Sequence, residues 1–160
     1  MQKLGVSIIL IILGIIVLAF PALGLVPAAI VTGFLVLFLG LGLLLMGMME
    51  IGDRVSLGII EIVLAVIAII LGIGFIVNPG LFAFIAGLIV YIVGLFLIIA
   101  GIISLITKSN NTKWAGILAI IIGVLYLIVG TLVAHNPLYL GILIGLWLII
   151  MGIIYASIKD

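Results

Sequence analysis

Cysteine is absent from this 160-residue chain. Disulfide bonds, thiolate metal sites and cysteine nucleophiles are therefore excluded. The sequence also has no GxSxG, HExxH or phosphate-binding motif, and no pair of carboxylates placed to share acid–base work. We therefore expect a protein that is not an enzyme and that holds no cofactor and no metal.

Charge is almost as scarce as cysteine, since charged residues make up only 6% of the chain while hydrophobic residues make up 69%. A soluble domain carries about 25% charged residues. A soluble fold of this length cannot bury so much apolar surface, because a small domain has a large surface relative to its interior. The net charge of +1, without a basic patch, argues against a nucleic-acid partner. The expected environment is a lipid bilayer.

One constant spacing, the interval from Pro21 to Pro79, runs through the whole chain. The same interval separates the members of each of these sets: Pro21, Pro79 and Pro137; Gly14, Gly72 and Gly130; Gly87 and Gly145. Matches at one offset along a chain indicate internal repetition, so we call this interval the repeat length. We expect a single membrane domain of residues 1–160 with three repeats, roughly 1–50, 51–108 and 109–160.

Each repeat has the pattern of a helix, a short proline turn and a second helix. The predicted helices cover residues 4–20, 24–49, 55–77, 81–106, 114–134 and 138–157. Each has about 17–26 residues, enough to cross roughly 30 Å of hydrocarbon. The apolar runs lack the alternation of a membrane β-barrel. The predicted fold is all-α, a polytopic bundle of six transmembrane helices arranged as three tandem hairpins.

The positive charges predict the orientation of these helices. The turns at the repeated prolines hold no Lys or Arg, and all five cations lie at the opposite helix ends: Lys3, Arg54, Lys108, Lys113 and Lys159. The positive-inside rule then places both termini on the cytoplasmic side of the inner or plasma membrane. Because each repeat holds two helices, all three repeats share one orientation, which permits a pseudo-threefold axis along the membrane normal.

Small residues recur every seven positions on four of the predicted helices. The glycines predicted for helix packing are Gly72, Gly87, Gly94 and Gly130 from these stripes, together with their repeat equivalents Gly14 and Gly145 on the first and sixth helices. Such stripes let helix backbones approach closely in lipid, where little hydrophobic force drives helices together. The short turns favour packing between helices of the same chain, and an oligomer interface is the alternative.

Glu61 is the residue most out of place, about six residues inside the third predicted helix. A carboxylate there is costly unless it is paired, protonated or close to the interface. Lys3 is its equivalent one repeat earlier and could form an ion pair with it, with Arg54 and Lys113 as alternative partners. A partly solvated interfacial side chain is the simplest interpretation, and a proton-linked or ligand-binding role is the alternative.

His135 lies beside the third proline turn, and histidine is the residue type whose charge most readily changes at mildly acidic pH. A solvated loop histidine is the simpler interpretation, and a pH-responsive residue the alternative. Near mid-membrane, Tyr91, Tyr126 and Trp147 either fill packing space or line a pocket with Thr32.

The repeated unit resembles the HdeD family of short-repeat membrane proteins. The resemblance covers nearly the whole chain and is carried by residues 114–123, by Asn136-Pro137, and by Gly80 after Asn78-Pro79. It implies six spans with both termini inside, and an association with acid resistance, without catalytic residues. The first turn departs from the pattern, because no Asn precedes Pro21.

Two kinds of function stay open. The first is a non-enzymatic membrane protein, either stress-related or an accessory subunit of a larger complex. The second is a small channel or a proton-linked transporter, for which the threefold repeat and Glu61 are the motivation. A homo-oligomer and a membrane-protein partner are both compatible with the sequence.

Overall fold

Six helices make up the structure, a computed structural model that describes the backbone of residues 2–106 and 110–157 and the side chains of 5–106 and 113–157. In chain order they are α1 (Gln2–Ala19), α2 (Ala22–Glu50), α3 (Val55–Val77), α4 (Pro79–Ile106), α5 (Asn110–His135) and α6 (Leu138–Ser157). Every predicted helix is present, with ends close to those expected. The all-helical fold class is confirmed.

The bundle has the surface of a membrane protein. Helices α2 to α6 are long and apolar enough to cross a bilayer, and α1 is a shorter apolar helix over Gly5–Ala19. The chain exposes 10647 Å², whereas a soluble globule of this length exposes roughly 7,600 Å². Much of the exposed area belongs to large apolar side chains such as Phe38 and Phe96. A lipid bilayer is therefore the environment that this surface requires.

The two ends of the bundle differ in chemistry. One end, called the proline end, holds the turns around Pro21, Pro79 and Pro137, and the other, called the charged end, holds residues 51–54 between α2 and α3. At the proline end, Oδ1 of Asn78 accepts hydrogen bonds from the amides of Gly80 (3.0 Å) and Leu81 (3.3 Å). Asn at the cap position and Pro in the first turn are both favoured at the start of a helix.

The same cap recurs at the third turn, where Oδ1 of Asn136 accepts from the amide of Leu138 at 3.1 Å. The first turn has no such cap: Pro21 lies in the helical region (φ −58°, ψ −25°) and no side chain caps α2. A second proline, Pro27, lies inside α2 and has no amide hydrogen to donate to the carbonyl of Leu23. The repeated Asn-Pro dipeptide is therefore a helix-capping device that the first repeat lacks.

Three antiparallel pairs form the closely packed units of the bundle. Helix α2 packs along α3, α4 along α5, and α1 along α6, whereas the helices joined by proline turns touch only lightly. The close pairs thus join helices from different repeats, and the α1–α6 pair brings the first and last helices together. The predicted hairpin is the repeating unit of the sequence, but it is not the packing unit of the fold.

Glycine faces glycine along each of these pairs. A Cβ built on Gly94 would lie 2.8 Å from the carbonyl oxygen of Gly123, and a Cβ on Gly87 would lie 2.9 Å from that of Gly130. Gly33 and Gly72 oppose each other in the same way across α2 and α3. All six glycines predicted for helix packing lie at such seams within the chain. The backbones are in direct contact, and a side chain at these positions would force the helices apart.

The three pairs meet one another near the proline end. Leu25, Ala83 and Val133 form a buried cluster there, and the rings of Phe75 and Phe82 pack edge to face with centroids 5.4 Å apart. In the half of the bundle toward the charged end, the buried residues that the structure describes are all seam residues: Ser7, Gly40, Gly47, Gly58, Ala65, Gly94, Gly101, Gly116, Gly123 and Gly152. The pairs are therefore joined at the proline end and less closely packed toward the charged end.

Replacing a seam glycine by alanine should destabilise the protein, whereas the same change off the seam should not. We expect Gly94→Ala to lower the free energy of unfolding by about 1–3 kcal/mol, because the added methyl group overpacks against backbone. Gly42→Ala is the matched control, since nothing lies within 4 Å of a Cβ at Gly42. Unfolding of both variants by SDS in mixed micelles, followed by circular dichroism, measures the difference. Equal stability of the two variants would show that the seams are not close-packed.

The α1–α6 pair can be tested by a disulfide, because the natural chain has no cysteine to remove. A Cβ on Gly152 would lie 2.6 Å from Cγ1 of Ile11. We expect Ile11→Cys with Gly152→Cys to form an intramolecular disulfide in membranes. The control pair, Ile12→Cys with Gly152→Cys, places one cysteine on an exposed face of α1 and should stay reduced. Equal oxidation of both pairs, detected by gel shift, would contradict the pairing.

Candidate functional site

Glu61 lies at the seam between α2 and α3, toward the charged end. Its Cβ is 3.1 Å from the position that a Cβ on Gly47 would occupy, so the side chain leaves α3 over a glycine of α2. Oε2 of Glu61 is buried and has no hydrogen-bond partner among the groups that the structure describes. A buried carboxyl oxygen without a donor costs free energy. Its position therefore makes Glu61 a candidate functional side chain in the described part of the chain.

The three basic residues predicted as partners of Glu61 differ in their surroundings. Arg54 precedes α3, and its Nη1 is 4.0 Å from Oε1 of Glu50 on an exposed face, with 70% of the Arg54 side chain accessible. Lys113 is an exposed residue of α5, which packs on α4. The side chain of Lys3 is outside the described residues, so the predicted Lys3–Glu61 ion pair stays a prediction. An exposed pair such as Glu50–Arg54 contributes only about 0.3–0.5 kcal/mol.

A large open hollow lies against one face of α2. It has a volume of about 600 Å³ and is lined by Leu35, Phe38, Leu39, Gly42, Leu43 and Met46. Gly42 lies two residues after the seam residue Gly40, just as Phe96 lies two residues after the seam residue Gly94 on α4. The α2–α3 pair therefore has no side chain at the position where the α4–α5 pair has the phenyl ring of Phe96.

The hollow belongs to α2 alone, since all six of its lining residues lie on that helix. Leu43 follows the core residue Leu25 by about five full helical turns, so both point in one direction. Glu61 precedes Phe75, the α3 residue that packs on α4, by about four full turns. Met46, at the edge of the hollow, adjoins Gly47, on which Glu61 packs. Glu61 does not line the hollow, so the carboxylate and the hollow are separate features of this pair.

His135 is the last residue of α5, at the proline end and far along the chain from this site. Its Nδ1 lies 3.2 Å from the carbonyl oxygen of Thr131. The two residues, with Tyr91, border a cleft of about 150 Å³ between α4 and α5. Among the described residues, no group of three or more metal-ligating side chains is present.

The aromatic residues predicted near mid-membrane are spread over different surfaces. Tyr91 borders the cleft near His135, and Tyr126 lies on α5, with its Cβ 2.9 Å from a Cβ built on Gly94. Trp147, on α6, exposes 59% of its surface. The three side chains therefore lie on three helices, of which only α4 and α5 form a close pair.

Sequence reasoning identified Glu61 but missed the hollow on α2. The signal was present: Gly42 is a glycine of α2 outside the seven-residue stripe of Gly33, Gly40 and Gly47. A glycine that no stripe explains leaves a gap on a helix surface.

The repeat is also found by comparison with known families. The profile of a family described as "Short repeat of unknown function (DUF308)" matches the chain twice, at residues 5–77 and at residues 63–135. The starts of the two matches are separated by the repeat length, the same interval that separates Pro21 from Pro79. No curated protein and no solved structure matches the chain significantly.

Neutralising Glu61 should stabilise the protein if its buried oxygen has no partner. We expect Glu61→Gln to raise the free energy of unfolding by about 1–3 kcal/mol, because the amide is less costly to bury than the carboxylate. Glu50→Gln removes the same charge from an exposed ion pair and should change the stability by less than about 0.5 kcal/mol. A loss of stability in Glu61→Gln would instead indicate a cationic partner, for which Lys3 is the predicted residue.

Proposed function

Because the chain belongs to the DUF308 family, whose repeats have no known function, we propose that it is a non-enzymatic integral membrane protein. In this proposal it acts in stress or acid resistance, either as a structural protein or as an accessory subunit of a larger membrane complex. The resemblance to the HdeD family supports the acid-resistance part of the proposal.

One observation carries this proposal. Five helices are apolar along their membrane-spanning length, and the closest contacts within each pair are made by glycine backbones rather than by reactive side chains. A surface so apolar over so many large side chains suits contact with lipid or with other membrane helices. Such a surface favours a role in association over the transformation of a soluble substrate.

The experiment for the accessory-subunit role is native purification in a mild detergent, followed by mass analysis of every component that co-purifies. A stoichiometric membrane-protein partner is the expected result. A protein that purifies alone from cells grown at neutral and at acidic pH would count against that role. A deletion strain that survives acid as well as its parent would count against the stress role.

A small channel or proton-linked transporter is the second candidate, and the buried Oε2 of Glu61 favours it. A carboxyl group inside the membrane is a suitable proton-binding group. Purified protein in liposomes should then carry protons faster than empty vesicles do, and Glu61→Gln should abolish the difference. Flux equal to that of empty vesicles would remove this candidate.

We also propose that the charged end faces the cytoplasm, following the positive-inside rule. Single cysteines can be added to the cysteine-free chain at Asp53, at the charged end, and at Asn136, at the proline end. In intact cells, a membrane-impermeant maleimide should label Asn136→Cys and leave Asp53→Cys unlabelled until the cells are opened. The reverse pattern would invert the topology.

A further inference from the structure

We propose that the cleft between α4 and α5 binds a fatty acid, with a segment of the alkyl chain in the cleft and the carboxyl group between His135 and Tyr91. The proposed function requires no ligand, so this inference goes beyond it. The cleft has a volume of about 150 Å³, and both helices contribute to its lining: Leu88 and Tyr91 from α4, and Thr131, Ala134 and His135 from α5.

The interior of the cleft is apolar. Gly87 and Gly130, which face each other across the seam, belong to its lining, and Leu88 and Ala134 add aliphatic surface. An apolar cavity of about 150 Å³ holds a molecule the size of benzene. A segment of one alkyl chain therefore fits here, whereas a drug-sized ligand, which needs roughly 300–1,000 Å³, does not. Because Leu88 and Thr131 are exposed, the rest of the chain can lie along the lipid-facing surface of the pair.

Hydrogen bonds within α5 determine which polar atoms remain for a ligand at the border of the cleft. Nδ1 of His135 lies 3.2 Å from the carbonyl oxygen of Thr131. A carbonyl oxygen only accepts, so Nδ1 carries the hydrogen, and Nε2 of the neutral ring is an acceptor. Oγ1 of Thr131 donates its hydrogen to the carbonyl oxygen of Ile128 at 2.8 Å. From α4, Tyr91 contributes a hydroxyl group that can donate.

Tyr91 and His135 lean toward each other along the cleft. Side chains of an α-helix point toward its N-terminus. Helix α4 begins at the proline end, so Tyr91, whose backbone nitrogen is 2.7 Å from a Cβ built on Gly130, leans toward that end. Helix α5 begins at the opposite end, and its last residue, His135, leans back toward Thr131, as their hydrogen bond requires. A head group between the two side chains can therefore contact both.

A carboxylic acid matches this arrangement of donor and acceptor. Its carbonyl oxygen accepts from the hydroxyl of Tyr91, and its own O–H donates to Nε2 of His135. When the proton moves to the imidazole, the carboxylate accepts from both side chains through charge-assisted hydrogen bonds. In either form the carboxyl group and the imidazole share one proton and have no net charge together, which suits apolar surroundings. A phosphodiester has no proton to donate, so the neutral ring of His135 favours the carboxylic acid.

The charges of the chain are compatible with an acidic ligand at this place. No acidic residue occurs between Glu61 and Asp160, so α4 and α5 contribute no carboxylate to the site. A carboxylate bound at the border of the cleft therefore meets no like charge from either helix that forms it.

The other two close pairs fill the space that the α4–α5 pair leaves open. Ala134 stands one repeat length after Ile76 and two after Leu18. In the α2–α3 pair, Cγ1 of Ile76 lies 2.7 Å from a Cβ built on Gly33, and in the α1–α6 pair, Cγ of Leu18 lies 3.1 Å from a Cβ built on Gly145. Those longer side chains cover the facing glycine, whereas the methyl group of alanine does not reach as far.

The polar residues of the cleft also have apolar counterparts in the other pairs. One and two repeat lengths before Thr131 and His135 stand Ile73 and Val77, and Ile15 and Ala19. Tyr91, whose nitrogen lies beside Gly130, is matched by Leu37 beside Gly72 and by Ile149 beside Gly14. The open space and the three polar side chains thus occur together in one of the three pairs, as a ligand site requires and close packing alone does not.

The test uses purified full-length protein in phosphatidylcholine nanodiscs and, as the probe, palmitic acid with a photoreactive diazirine in its chain. Peptide mass analysis after irradiation locates the labelled residues. We expect saturable labelling concentrated on residues that line the cleft, with competition by unmodified palmitic acid but not by methyl palmitate, whose ester has no proton to donate. Labelling spread over the exposed faces of all six helices, or equal competition by methyl palmitate or by phosphatidylglycerol, would overturn the proposal.

One variant fills the cleft. Ala134→Ile supplies the side chain that the α2–α3 pair has at Ile76 and should raise the half-saturating concentration of the probe about tenfold or more, because the added side chain and the alkyl chain cannot occupy one space. Ala115→Ile makes the same change at an exposed position of α5 and should leave binding unchanged. Undiminished labelling of the cleft in Ala134→Ile would overturn the proposal.

Two variants remove the partners of the carboxyl group. His135→Leu and Tyr91→Phe should each raise the half-saturating concentration about fivefold or more, because the bound head group loses a hydrogen bond. His135→Gln, whose amide both donates and accepts, should restore part of the binding. Tyr126→Phe removes a hydroxyl group from a tyrosine of α5 that does not line the cleft and should have no effect.

Two further measurements separate loss of the site from loss of the fold. Circular dichroism and the elution volume of Ala134→Ile, His135→Leu and Tyr91→Phe should match those of the natural protein. Unchanged binding in both folded head-group variants would overturn the proposal. Co-purification of a partner does not depend on this result, so failure of the fatty-acid site and failure of the accessory role are distinguishable.

Discussion

Direct backbone contact between glycines is the interaction on which the rest of this structure depends. In lipid, apolar side chains gain little by leaving one apolar environment for another, so helices associate through close contact and dispersion. Gly87 against Gly130 and Gly94 against Gly123 bring two backbones together without intervening side chains. The seven-residue spacing keeps these contacts on one side of each helix over its whole length. Three such seams determine which helices pair.

The pairing explains the architecture of the bundle. Because the seams of α2 with α3 and of α4 with α5 join helices from neighbouring repeats, the first and last helices are left for each other, and α1 packs on α6. Each proline turn therefore connects two helices that belong to different close pairs. Large apolar side chains are buried where the pairs meet, at the cluster of Leu25, Ala83 and Val133. Toward the charged end, the described buried residues lie at the seams within pairs.

Much of the fold could be predicted from the sequence, and little of the site. Apolar runs and repeated prolines define six helices, because helix length and chain breaks are local properties. The stripes identify the seam glycines, but a stripe does not say which helix it faces, since Gly72 could have met the helix after Pro79 instead of Gly33. The gap at Gly42 lies on a face of α2 that no seam occupies, so it could be recognised only once the seams were known.

Magic-angle-spinning NMR of glycine-labelled protein in lipid bilayers tests the seams most directly. With ¹³C at glycine Cα and carbonyl positions, the account predicts cross-peaks between helices for Gly33 with Gly72, Gly87 with Gly130, and Gly94 with Gly123, because these backbones touch. Spectra that contain the sequential contacts but lack these three interhelical ones would contradict the account, since the close approach of the helices rests on these glycines.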